Sequence, residues 1–322
     1  MADGTLFGRT GRPRVVDLFA GAGGFSEGAR AAGCDVVWAA NHWQLAVDWH
    51  AQNHPSTTHL CQDLHQANWL TVPEHEITLA SPSCQGNTPA RGTDKPHHDA
   101  ARSTAWAVVS CLEVHRTPIA IVENVPGFLD WTLYPVWEMA MRALGYHLQT
   151  LVLDAADFGV PQHRVRLFIV ATLRPMPALQ FARAAHQPIR EAIRWDEFQW
   201  SPIDKPRRAA ATLARIARGR QVFGDTFLAP YYGSGSGETG RSLDRPLGTV
   251  TTRDRYALIR GDKMRMLQPP EYRAAMGFPV GYRLPETRAE AIHLLGNAVC
   301  PPVATAIIRA VLAWMRANVG AA

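Results

Sequence analysis

Short apolar runs alternate with stretches of helical period along the first half of the chain. The runs at 15–19, 35–40, 77–80 and 119–122 are rich in Val, Ile, Leu and Ala and read as buried strands. Between them, 24–32, 45–53 and 101–114 carry the helical pattern. This alternation predicts an α/β fold built on a doubly wound, mostly parallel sheet. A helix closing at 142–145 and strands at 148–153 and 166–171 continue the series, and Pro175-Met-Pro marks a break. From 175 to 262 the pattern turns irregular and richer in Arg, Trp, Pro and Gly, including the tract Gly233-Ser-Gly-Ser-Gly. The stretch 301–317 is an apolar-periodic helix opened by Pro301-Pro302, and its apolar face is predicted to return to the large domain. The expected organisation is a large domain of 1–174 and 263–322, interrupted by a smaller one at 175–262.

At 322 residues and 47% hydrophobic content the chain is long enough for one sizeable core and a smaller attached domain. No apolar run nears the roughly 20 residues of a membrane span, and residues 1–14 lack the apolar core of a signal peptide, so a cytoplasmic, membrane-free protein is expected. The five cysteines are scattered without a CxxC pair, which argues against a disulfide framework and against a structural metal. Net charge is +5, and its distribution is uneven: 174–260 holds 15 Lys+Arg against 8 Asp+Glu, the rest 18 against 20. Between Lys205 and Arg220 lie six basic residues and no acid, a strip suited to a phosphate backbone.

Four segments carry chemistry. Asp17-Leu-Phe-Ala-Gly-Ala-Gly-Gly follows the first strand and opens the first helix, so its glycines let the backbone pass close to a nucleotide-like cofactor at a helix N-terminus. Cys84 follows the strand 77–80 and Glu123 ends the strand from 119, at the strand ends where open α/β sheets bind ligands. In Gln162-His-Arg-Val-Arg, Arg164 and Arg166 alternate along an emerging strand and are expected to share one face. Cys, Glu and Arg can thereby converge on one pocket.

These segments, in order, resemble the cytosine-5 DNA methyltransferase family of bacterial or phage modification enzymes. The resemblance covers 15–173 and 245–304 and adds Arg245-Pro-Leu-Gly-Thr-Val-Thr-Thr and Gly296-Asn-Ala-Val to the motifs above. It implies a Rossmann-like methyltransferase domain with a target-recognition domain at 175–262, and double-stranded DNA in the cleft between them. The implied reaction is methyl transfer from S-adenosylmethionine to C5 of a flipped-out cytosine. Cys84 matches the thiolate that adds at C6, Glu123 the carboxyl that holds N3, Arg166 the contact to the base, and Arg164 a second arginine beside it. Phe19, Ala20, Gly21, Gly23, Gly24, His42, Trp43, Asp63, Leu64, Asn297 and Val299 match the cofactor site, and Pro82, Gln85, Asn124 and Arg102 the substrate site. The segment 86–102 resembles the family's mobile catalytic loop.

Two positions depart from the family pattern. His42 stands where an acidic residue usually holds the ribose hydroxyls, and Ser83 stands where a proline usually precedes the nucleophile. A monomer acting apart from any cognate restriction endonuclease is expected. The rival readings are an RNA (tRNA) cytosine-5 methyltransferase of the same fold and a catalytically silent DNA-binding relative. A NAD-binding oxidoreductase leaves the Cys, Glu and Arg unexplained.

Overall fold

The computed structural model describes residues 11–83, 104–231 and 240–319. It divides into two compact units, one of 1–155, 165–183 and 298–322, the other of 156–164 and 184–297.

The first unit holds a seven-stranded sheet in the order β3 (Thr58–Cys61), β2 (Asp35–Asn41), β1 (Arg14–Leu18), β4 (Ile77–Ala80), β5 (Ile119–Asn124), β7 (Val165–Thr172), β6 (His147–Asp154). Pairing is parallel from β3 through β5 and antiparallel at β7 and β6. The expected doubly wound, mostly parallel sheet is therefore present. Every residue of the central strands β4 and β5 is buried, which is why their sequences run apolar instead of alternating. Helices α1 (Gly24–Ala31), α2 (Gln44–Asn53), α3 (Ala105–His115) and α4 (Tyr134–Ala143) connect the strands. Strand order reverses between β1 and β4, and such a reversal opens a crevice at the carboxyl ends of the strands.

The first helix depends on a distant cap. Its N-cap is Gly23, held at φ 75°, which offers no side chain to the orphan N–H groups of the first turn. The buried carboxyl of Asp17 takes that role: Oδ2 accepts from the Ser26 backbone N–H at 3.1 Å and from the Ser26 hydroxyl at 2.7 Å. The C-terminal helix α8 (Pro301–Val319) returns to this unit as expected and lies against α1. The approach is close because α1 presents glycine there. A Cβ on Gly24 would stand 2.0 Å from the Val299 carbonyl oxygen, and one on Gly28 2.5 Å from the Ala304 Cβ.

The second unit is built on an antiparallel sheet in the order β8 (Ser201–Pro202), β11 (Lys263–Met266), β10 (Tyr256–Arg260), β9 (Thr226–Pro230). Helix α5 (Ala210–Phe223) covers it through Ile216 and Gly219, and α6 (Pro269–Ala275) and α7 (Arg288–Asn297) complete the unit. Two sequence expectations change here. The stretch read as irregular contains regular strands, missed because β9 and β10 are buried almost throughout and show no alternation. The boundary expected at 262 also shifts, because β11 pairs with β10 and carries 263–297 into this unit. A buried ion pair fastens that segment: Arg265 donates to both carboxylate oxygens of Glu271 at 2.7 and 2.8 Å, and Glu271 accepts from the Arg194 N–H as well. Arg265 also lies over the rings of Phe198 and Trp200.

One helical stretch, Arg288–Asn318, is long and apolar enough by composition to cross a membrane, although Arg288, Glu290, Arg309 and Arg316 interrupt it. It is interrupted between α7 and α8, and most of its apolar window is buried, as in a core helix.

The α1–α8 contact leaves no room for a side chain. Gly24→Ala is expected to lower stability by about 1–3 kcal/mol, the scale of overpacking, read as a reduced midpoint in denaturant unfolding with an unchanged slope.

Candidate active site

The site grows from the strand ends of the first unit. After β1 the chain turns sharply, with Phe19 at φ 63°, Gly21 at φ 54° and Gly23 at φ 75°. The glycines adopt this conformation at little cost, whereas for Phe19 it is strained and has to be held by its surroundings. Ala20 N–H donates to the Ala40 carbonyl at 3.0 Å and Gly23 N–H to the Ala20 carbonyl at 2.8 Å, which fixes the turn against β2. Beyond Gly21 the space is open: a Cβ there would meet only the Phe19 carbonyl oxygen, at 3.7 Å. Ala20, Gly21, Ala39, Ala40, Asn41, Ala46, Val47, His50 and His59 line a narrow depression beside it, too tight to hold a water molecule.

The neighbouring strand ends supply the other residues expected around a cofactor. At the end of β2, Asn41 accepts through Oδ1 from the Trp43 N–H at 2.9 Å, and His42 is exposed beside it. Past β3, exposed Asp63 caps a short turn by accepting from the His65 N–H at 3.0 Å, while Leu64 is buried. Val299 backs onto Gly24, and Gly24 opens α1 at the turn. Asn297 is exposed at the end of α7, in the second unit.

At β4 and β5 the geometry is tighter. Buried Asn124 donates through Nδ2 to the Pro82 carbonyl at 3.2 Å, joining the end of β5 to the segment that leads into Cys84. Ser83 N–H donates to Thr104 Oγ1 at 2.9 Å, so the residue in the usual proline position uses the donor a proline lacks. Glu123, with its side chain 9% exposed, pairs with Arg166, whose Nε lies 3.3 Å from Oε1. The antiparallel register of β5 and β7 sets Glu123 opposite Phe168, and this brings Arg166 to the same end of the sheet. Cys84, Gln85 and Arg102 lie outside the described residues.

Arg164 departs from the expected arrangement. It precedes β7, so the alternation that would place it with Arg166 does not reach it. It is buried in the second unit, where Nη1 donates to the Val250 carbonyl at 3.0 Å and Nη2 to the Gly296 carbonyl at 2.9 Å. Gln162 accepts from the Val250 N–H at 2.7 Å, and a bridge pairs it with Leu247. Residues 162–164 and the motif at 245–252 are thus assembled on each other, with Arg164 as a brace.

Sequence reasoning missed a polar chain beneath the glycine turn. His50 is buried, with Nε2 3.0 Å from Ser26 Oγ and Nδ1 2.8 Å from His59 Nε2. Its signal was the helical spacing of Ala46, Val47 and His50, which puts His50 on the buried face of α2. Among the described residues no group of His, Cys, Asp and Glu is arranged to hold a metal.

Comparison with known proteins identifies the family. The chain is similar to the type II methyltransferase M.NlaX of Neisseria lactamica, 28% identical with 96% of this chain and 97% of that protein covered. It is similar to M.HhaI of Haemophilus parahaemolyticus, 25% identical with 89% and 90% covered. Its fold matches a solved structure described as a DNA modification methyltransferase encoded within an E. coli prophage, at a TM-score of 0.72, 19% identity and 94% and 99% coverage. It also matches DNMT2 of Spodoptera frugiperda, at 0.68, 17% identity and 93% and 99% coverage. The family model for C-5 cytosine-specific DNA methylase matches residues 13–313, and the chain belongs to that family.

Proposed function

We propose that the protein transfers a methyl group from S-adenosylmethionine to C5 of a cytosine in double-stranded DNA, as the modification partner of a separately acting endonuclease. One observation carries most of this reading. Glu123, buried at the end of β5, meets Arg166 at 3.3 Å, while its neighbour Asn124 holds the Pro82 carbonyl two residues before Cys84. Carboxyl, guanidinium and the approach to the thiol thus occupy one corner of the sheet.

The residues fit the cofactor. The open space at Gly21, beside the strand ends, suits a nucleoside-bearing ligand, and the buried Asp17 Oδ1 has no hydrogen-bond partner among the described residues. Phe19, Ala20, Gly21, Gly23 and Gly24 would hold it at the turn. His42, Trp43, Asp63 and Leu64 would flank its nucleoside, and Val299 and Asn297 the returning segment. When bound it supplies an electrophilic sulfonium methyl group.

C5 of cytosine is a weak nucleophile. Cys84 as thiolate adds to C6, and electron density moves to C5, which becomes able to attack the methyl group. Negative charge that builds at N3 is met by a proton shared with Glu123, while Arg166 holds both Glu123 and the base. Asn124 and Pro82, with Gln85 and Arg102, line the base. Loss of the C5 proton then expels Cys84. The base must leave the duplex for this, at a cost of a few kcal/mol met by pocket and backbone contacts. Arg164 is proposed as a positioning residue that fixes Val250 and Gly296.

Cys84→Ser is expected to abolish turnover while DNA binding persists, because a hydroxyl adds poorly to C6. With DNA carrying 5-fluorocytosine, the wild type should form an adduct that survives denaturation and Cys84→Ser should not. Methylation by Cys84→Ser at the wild-type rate would remove the thiol from the reaction.

Glu123→Gln keeps the shape but delivers no proton to N3. Its kcat is expected to fall by about 10²–10⁴-fold with a smaller change in KM, read from initial rates at saturating DNA. An unchanged kcat would exclude the proton-sharing role.

A further inference from the structure

The chain that leaves β4 is tied down residue by residue. Ser81 N–H donates to the Leu18 carbonyl, at the end of β1, at 3.1 Å. The Pro82 carbonyl and the Ser83 N–H belong to one peptide group, and side chains from two other elements hold its two ends. Asn124 of β5 donates through Nδ2 to the oxygen at 3.2 Å, and Thr104 accepts through Oγ1 from the N–H at 2.9 Å. Both holders are fixed in turn. Asn124 is buried, and its Oδ1 accepts from the Val125 N–H at 2.9 Å, which leaves Nδ2 for Pro82. Thr104 leads into α3 at Ala105, whose carbonyl accepts from the buried Trp137 indole at 3.0 Å.

We propose that Thr104 is a positioning residue for the attacking thiol: with Asn124 it locks the plane of the Pro82–Ser83 peptide, and so sets the direction in which the chain arrives at Cys84. This rests on the methyltransferase reading and concerns a residue outside the reacting groups. A peptide group is planar, so holding its oxygen and its N–H together restrains rotation about the single bonds on either side. The ring of Pro82 already fixes that residue's φ. A proline at 83 would fix the next φ covalently and would have no N–H to give. Serine leaves that φ to the hydrogen bond with Thr104, so Ser83 and Thr104 act as one restraint.

Thr104 does not do here what threonine at this position most often does. It is the N-cap of α3, where a threonine hydroxyl commonly accepts from the first turn, yet it makes no capping bond to the helix. Its oxygen goes to Ser83 instead. The helix is held by its buried face, Ala105, Ala107, Val108, Cys111 and Leu112. The consequence for the reaction is geometric. A thiol must meet C6 in a near-attack arrangement, and a misplacement of about 1 Å can cost on the order of 10²-fold in rate. A restraint one peptide before Cys84 acts on that arrangement, while DNA and cofactor are bound by other residues.

The test is a double-mutant cycle on the whole protein, read as the rate of covalent adduct formation with DNA carrying 5-fluorocytosine at saturating DNA and S-adenosylmethionine. Thr104→Val keeps the branched shape and loses the acceptor, and it should slow the adduct about tenfold while the Kd for DNA and for cofactor stays at the wild-type level. Thr104→Ser keeps the hydroxyl and should restore the rate. Ser83→Pro should retain it, because the ring replaces the hydrogen bond. In the Ser83→Pro background Thr104→Val should then cost nothing, since the donor it served is gone. A full loss on Thr104→Val in that background, or none in the native one, would overturn the inference. Should Thr104→Val not fold, Thr104→Ala carries the same comparison. Should Ser83→Pro not fold, rescue decides, and a Thr104→Ser protein as slow as Thr104→Val would overturn the inference as well. A wild type that forms no adduct would instead sink the methyltransferase reading, and this inference with it.

Discussion

The bond from the Ser26 backbone N–H to the Asp17 carboxylate is the constraint from which the proposed cofactor site follows. A helix that starts on glycine has no side chain of its own to satisfy its first N–H groups, and leaving them bare inside a protein would be costly. Capping from β1 removes that cost and leaves Gly21 and Gly23 uncovered. Small residues on α1 then let α8 settle against it, so the last helix of the chain braces the first. A buried carboxyl with a raised pKa also weakens the free fold, since the unfolded chain ionises it more easily. Stability contributed by protonated Asp17 is present below about pH 4 and is lost as pH rises through about 7.

The second organising contact is the corner formed by β4, β5 and β7. Parallel strands bring their carboxyl ends to one edge, but antiparallel β7 enters that edge at its start, and Arg166 is the second residue of β7. This reversal lets an arginine far along the chain reach Glu123. The second unit contributes differently: Gln162 and Arg164 hold the 245–252 motif and Gly296 by backbone groups. Motifs that look like separate chemical signals in the sequence are here partly scaffold for one another.

Much of this was legible in the sequence where the physics is local. Fully buried strands announce themselves as apolar runs, so β1, β2, β4 and β5 and the placement of Glu123 at the end of β5 could be read directly. What failed depended on longer-range pairing. Arg164 was grouped with Arg166 by assuming that a strand begins earlier than Val165. Residues 263–297 were assigned to the large domain because composition changes near 262, whereas the β10–β11 pairing and the Arg265–Glu271 ion pair hold them in the second unit. The spacing of Ala46, Val47 and His50 could have put His50 on the buried face of α2, but its partners Ser26 and Asp17 lie on two other elements, and that meeting is not local.

The central claim is chemical: one particular carbon of one base receives the methyl group. The direct measurement is to incubate duplex DNA with the protein and S-adenosylmethionine labelled in its methyl group, digest to nucleosides and identify the labelled product by mass spectrometry against standards. The account predicts 5-methyldeoxycytidine and no other labelled nucleoside. Label on N4 of cytosine or on adenine, or label taken up by RNA and not by DNA, would contradict it.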